Sequence, residues 1–163
     1  MSCLDKDDDM KLLNHRSLGF TLIEMMVVVV IVAIFAAIAI PSYQAYIRRA
    51  NASQVQQEIQ RIATLLERSK SRNFNYLGFT TTPNPYVIPV GSTGASIKYS
   101  INVQDGTDNT KVLTDSTVSG QAYVIRAIST DVKNYSYVFG SDGRKCKKMG
   151  TTIGYDCTGV DPW

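Results

Sequence analysis

Hydrophobic positions are continuous over residues 21–40 and periodic beyond them. Residues 21–40 read TLIEMMVVVVIVAIFAAIAI, with Glu24 the one charged side chain. As an α-helix this run is about 30 Å long, the thickness of a bilayer hydrocarbon core. After Pro41, the residues Tyr43, Ile47, Ala50, Val55, Ile59, Ile62, Ala63 and Leu66 recur mostly at three- and four-residue steps between polar ones. That spacing is the apolar stripe of an amphipathic helix. The pattern predicts one long helix through both stretches, fading near Ser71–Asn75. If continuous from 21 to 72, it would be about 78 Å long. Pro41 removes a backbone donor and is expected to kink or locally open it.

Downstream the period changes. Residues 77–96 contain Pro83, Pro85, Pro89, Gly91 and Gly94 and read as an irregular connecting loop. Ile97, Tyr99, Ile101 and Val103 then alternate with Lys98, Ser100 and Asn102, a strand ended by Asp105-Gly106. Residues 122–128 and 135–139 predict two further strands, and Ser141-Asp142-Gly143 a turn. Residues 141–163 read as a tail holding two cysteines. Three or four antiparallel strands packed on the amphipathic helix would make an α+β domain. No internal repeat is visible.

Glu24 needs an explanation. An acidic side chain at mid-membrane costs about 2.5–3.5 kcal/mol, so it must be neutralised or lie near the interface. Lys11 and Arg16 precede the apolar run and Arg48 and Arg49 follow it. The two sides are nearly balanced, and the positive-inside rule gives little orientation. Ala36–Ala39 offers small residues of the kind a signal peptidase cuts after. The helical pattern nevertheless continues straight through Pro41, which disfavours cleavage there.

The run Gly19-Phe20-Thr21-Leu22-Ile23-Glu24, behind a short basic segment and with Pro41 closing the apolar stretch, resembles the N-terminus of a type IV pilin precursor. The close resemblance covers roughly residues 10–50. It implies a pilin fold: a long N-terminal membrane-spanning helix packed on a small antiparallel sheet, with a C-terminal disulfide loop. It implies that residues 1–19 are a leader, cut by the prepilin peptidase between Gly19 and Phe20, and that the new Phe20 amine is N-methylated. Residues 20–40 would hold the subunit in the inner membrane as a single pass, then enter the filament core. Residues 41–163 would form the periplasmic and later extracellular head. Glu24 would meet the Phe20 amine of a neighbouring subunit and set the register of assembly, a role attested for buried polar groups elsewhere. The implied partners are other pilin subunits, the peptidase and the inner-membrane pilus assembly machinery. A plain signal-anchor helix, with Glu24 reaching the headgroups, is the competing reading.

The resemblance also orders the cysteines. Cys3 lies in the expected leader, so cleavage leaves Cys146 and Cys157. A disulfide between them would stabilise by somewhat under about 3 kcal/mol and implies an oxidising compartment; two free buried thiols are the alternative. Residues 1–9, MSCLDKDDD, are acidic, whereas Met10 opens MKLLNHRSLG, a complete short leader on its own. Translation is therefore expected to start at Met10, or the extra residues to be inert. Removing residues 1–19 from 163 leaves 144, enough for one small domain with the helix supplying part of its core.

Enzymatic chemistry is not expected. The one histidine, His15, lies in the leader, so the mature chain lacks a histidine base or ligand. No Gly-rich phosphate loop is present, and no cofactor or metal is expected. Asp105-Gly106-Thr107-Asp108-Asn109 offers oxygen ligands without the spacing of an EF-hand loop, and reads better as a solvated turn. Arg144-Lys145-Cys146-Lys147-Lys148 places four cations in five residues. It could touch DNA phosphates, with Tyr155 and Trp163 stacking on bases, or be a solvated cationic loop. Arg61, Arg68, Lys70 and Arg72 read as solvent or intersubunit contacts. The stretch Pro41–Arg49 is most like minor pilins, so the expected function is a minor subunit serving pilus biogenesis, twitching motility, adhesion or DNA uptake. A type II secretion pseudopilin and a tip subunit that captures DNA or a host surface are the alternatives.

Overall fold

The computed structural model describes residues 19–163. Cys3, Met10, Lys11, His15 and Arg16, and with them the leader and start-site expectations, lie outside the described residues.

The first element is one helix, α1, Leu22–Asn73, 52 residues long and running through Pro41. The chain divides into two compact units between Pro41 and Ser42. In the first, the most apolar stretch of the helix reaches a mean hydropathy of 3.0 and contains no buried residue, the composition of a segment whose solvent is lipid or other helices. α1 ends where the sequence turns polar. Phe74 follows in a left-handed conformation (φ 61°), its N–H reaching Lys70 O at 2.7 Å. Lys70 and Arg72 lie in the last turn, where cations offset the negative end of the helix dipole.

The second unit is an antiparallel meander on the rest of α1. Its strands are β1 (Tyr86–Ile88), β2 (Tyr99–Asp105), β3 (Tyr123–Ser129), β4 (Tyr135–Gly140), β5 (Lys145–Met149) and β6 (Asp161–Pro162), each beside the next. Registers such as Ile101↔Ala127 and Ala127↔Tyr137 put same-face residues in rows across the sheet. One face of the sheet, with Tyr99, Ile101, Ile125, Ala127 and Tyr137, packs with Val55, Ile59, Ile62 and Leu66 of α1 into the main core. Val124, Val138, Cys146 and Ile153 form a smaller core on the opposite face. The α+β pilin architecture is therefore present, with a Cys146–Cys157 disulfide.

Three expectations need correction. Residues 77–96 are not wholly irregular: Tyr86–Ile88 is a buried strand, framed by Pro85 and Pro89, and too short to display a period. As an edge strand it tolerates flanking prolines. The sheet has six strands rather than three or four. The tail from 141 is not only loop, because Lys145–Met149 pairs with β4 and with β6.

Candidate functional site

The N-terminal motif builds a helix cap. Thr21 precedes the first helical residue; its Oγ1 accepts the N–H of Glu24 at 3.2 Å, and its carbonyl accepts that of Met25 at 3.3 Å. Thr21 is thus the N-cap and Glu24 the third helical residue, the spacing of a capping box. Glu24 also sits in the first turn, where a carboxylate suits the helix dipole. Its side chain is exposed and makes no hydrogen bond or ion pair among the described residues, which leaves it available to a partner. Phe20, just outside the helix, is 72% exposed.

At the other end of the chain, the disulfide pins the tail to β5. Cys146 is buried and its Cα lies 5.6 Å from that of Cys157. Trp163 packs against the main core; its indole N–H donates to Val138 O at 3.1 Å, and its ring meets Tyr137 edge-on at 5.4 Å. The Tyr155 hydroxyl donates to Gln104, and Arg126 lies over its ring at 4.2 Å. Neither aromatic is free to stack on bases, contrary to the sequence expectation.

The cationic run is likewise not one patch. Because Lys145–Met149 is a strand, its side chains alternate. Lys145 lies over Phe139 at 5.4 Å and Lys147 over Tyr135 at 5.4 Å, on the face that carries Tyr137. Cys146 and Lys148 belong to the other face. Arg144, in the preceding turn, is 2.5 Å from Asp142 and donates to Tyr155 O at 3.2 Å. Four cations adjacent in sequence are therefore divided among three environments.

Asp105 is a structural carboxylate. Fully buried, it accepts from the N–H groups of Thr107 at 2.8 Å, Asp108 at 2.9 Å and Gly120 at 3.1 Å. These bonds tie the 105–120 excursion shut and leave it no role as a calcium ligand. Gly120 has φ +62°, and a Cβ there would meet Leu77 at 2.5 Å.

A better cationic surface lies on α1. Arg61, Arg68 and Arg72 recur at seven and four residues, hence on one helix face. With Phe79–Thr82 they line a groove of about 690 Å³. Arg61 is held by Glu58 at 2.7 Å and donates to the Tyr86 hydroxyl at 3.0 Å. The hydrogen bond it donates to Glu58 raises its pKa, securing the charge. Arg68 and Arg72 make no side-chain hydrogen bond or ion pair among the described residues.

Comparison with known proteins decides the family. Residues 41–150 match the family described as "Type IV minor pilin ComP, DNA uptake sequence receptor", and residues 14–40 the prokaryotic N-terminal methylation motif. The chain is a type IV pilin. The pilin is 34% identical over 123 residues to a fimbrial protein of Pseudomonas aeruginosa, covering 71% of this chain and 79% of the relative. It is 37% identical over 101 residues to the type IV major fimbrial protein FimA of Dichelobacter nodosus. That match covers 53% of this chain and 65% of FimA, just under two thirds of the relative's length. No solved structure gives a match. The family is one of structural, non-enzymatic subunits that assemble into pili with other pilins.

Two features of this pilin escaped sequence reasoning. The Thr21 cap was signalled by Thr-x-x-Glu ahead of an apolar run, a pattern hidden inside the more conspicuous membrane segment. The arginine groove was signalled by the spacing of Arg61, Arg68 and Arg72, but Phe79–Thr82 completes it only in three dimensions.

Proposed function

We propose that this pilin is a minor subunit of a type IV pilus that takes part in DNA uptake. The observation that carries this reading is the match of residues 41–150 to a family of minor pilins described as DNA uptake sequence receptors. The precursor is cut between Gly19 and Phe20, methylated on the Phe20 amine, and held as a single pass in the inner membrane by residues 20–40, with 41–163 as the head. Kinking at Pro41 lets the helix adjust as it leaves lipid. During assembly, Glu24 receives the Phe20 amine of a neighbour. A desolvated carboxylate left alone is strongly unfavourable, so pairing selects the correct axial position.

The head contacts DNA phosphates through the groove of Arg61, Arg68 and Arg72. Two of these guanidiniums carry no partner among the described residues, and the planar fork suits phosphate. Lys145, Lys147 and Lys148 contribute less, because the pleat of β5 sends them to different faces.

A strain lacking this chain tests the reading. Surface fibres should persist while DNA uptake falls, and exoprotein secretion should be unchanged. Loss of exoprotein secretion would instead mark a pseudopilin, and loss of all fibres a major subunit.

A further inference from the structure

A second cavity, of about 290 Å³, lies beside the part of β2 that β1 leaves uncovered. β1 pairs only with Tyr99–Ile101; beyond them the cavity is bordered by Asn102 and Gln104, with Thr80, Asn84 and Thr114 at the rim and Arg126 from β3. It shares Phe79, Thr80 and Thr81 with the arginine groove but contains none of that groove's three arginines.

Arg126 distinguishes it. Among the described residues the guanidinium Nε is shut off from solvent with no hydrogen-bond partner, and no ion pair includes Arg126. Its central carbon lies over the Tyr155 ring, 4.2 Å from the centroid. Tyr155 in turn occupies the Gln104 carbonyl with its hydroxyl, leaving the Gln104 amide N–H₂ as a donor. A buried cationic donor without an acceptor is costly in an unliganded protein. The two terminal nitrogens of the same guanidinium make no hydrogen bond among the described residues, and their paired N–H groups match the shape of a ligand carboxylate.

The remaining lining fits a sugar. Asn84, Asn102, Thr80 and Thr114 both donate and accept, as hydroxyl recognition requires. Phe79 adds an apolar face to the cavity wall. The volume is at the low end for small-molecule sites and suits one six-membered ring with its carboxylate. We propose that this cavity binds an acidic monosaccharide unit, a uronic acid in a surface polysaccharide, with Arg126 holding the carboxylate.

The test uses the full mature chain in detergent micelles, titrated with methyl β-glucuronide, methyl β-glucoside and inorganic phosphate and read by calorimetry and the Arg126 Nε–H resonance. The glucuronide should bind and shift that resonance, with the neutral glucoside and phosphate each at least tenfold weaker in shifting it. Arg126→Lys, which keeps the charge but loses the fork, should weaken binding about tenfold. Thr114→Val, on the rim, should weaken it severalfold, and Lys148→Ala should leave it unchanged. A phosphate-induced shift of the Arg126 resonance at the same affinity as the glucuronide would show a general anion site and overturn the proposal. So would equal binding of the glucoside, absence of glucuronide binding, or full affinity in a folded Arg126→Lys chain.

Discussion

Thr21 Oγ1 accepts the backbone N–H of Glu24 at 3.2 Å, so the carboxylate proposed to steer assembly is presented from a capped first turn. Cap and carboxylate do separable jobs. Glu24→Ala should insert into the membrane normally but fall about tenfold or more in sheared fibres, since a lost buried pair costs several kcal/mol. Thr21→Val should lose only about 1 kcal/mol of capping and retain most incorporation. Immunoblots of membrane and fibre fractions measure both; equal losses would show that Glu24 acts only through the cap.

The buried Asp105 carboxylate holds three backbone donors. Asp105→Ala strands them and should destabilise the head by about 3 kcal/mol, lowering the melting temperature by roughly 10 °C. Gly120→Ala should act on the same excursion, because its Cβ collides with Leu77 in a conformation that favours glycine. Thermal melts of the mature chain report both, and calcium should rescue neither.

The disulfide should be read out by Trp163. Cys146→Ser with Cys157→Ser removes about 2–3 kcal/mol in the chain-entropy picture. Denaturant unfolding should show the loss, and Trp163 fluorescence should shift to the red as the tail leaves Val138 and Tyr137.

Alkaline pH should destabilise the head. Burial, and then the bond to Glu67 at 2.9 Å, raise the Tyr76 hydroxyl to about 12. Burial likewise raises Tyr99, Tyr123 and Tyr137. These groups stay neutral in the folded chain while an unfolded tyrosine ionises near about pH 10. Their contribution is complete below about pH 10 and is lost as pH rises toward the folded values. Denaturant midpoints should be flat from pH 7 to 9 with respect to tyrosine and fall from about pH 10 upward, alongside the tyrosinate absorbance.

DNA contact can be assigned by charge reversal. Arg68→Glu with Arg72→Glu should weaken binding about tenfold or more and reduce the salt slope by roughly 2. Lys148→Glu, on the other sheet face, should change it less than about twofold. The reverse order would return the contact to β5.

How much was legible follows from what each signal encodes. The stripe on α1 identified the buried face, and Val55, Ile59, Ile62, Ala63 and Leu66 are buried. Tyr43, Ile47 and Ala50 share the period yet are exposed, because periodicity marks a face and not the length over which a sheet covers it. β2, β3 and β4 were readable from alternation over six or seven residues. β1 offers three residues, and the alternation of β5 is masked by lysines on both of its faces. The division of the basic run has the same origin: charge density along a sequence ignores the pleat. Arg126 was invisible because a lone arginine in a strand becomes unusual only when its neighbours are known to offer no acceptor.

The most direct test of a pilus subunit built through its N-terminal helix is the intact mass of this chain from membranes and from sheared surface fibres, before and after reduction. A chain in fibres beginning at Phe20, carrying one added methyl group and gaining two hydrogens on reduction, is the result expected. A chain left uncut at Gly19, cut after the apolar run, or absent from fibres would contradict it.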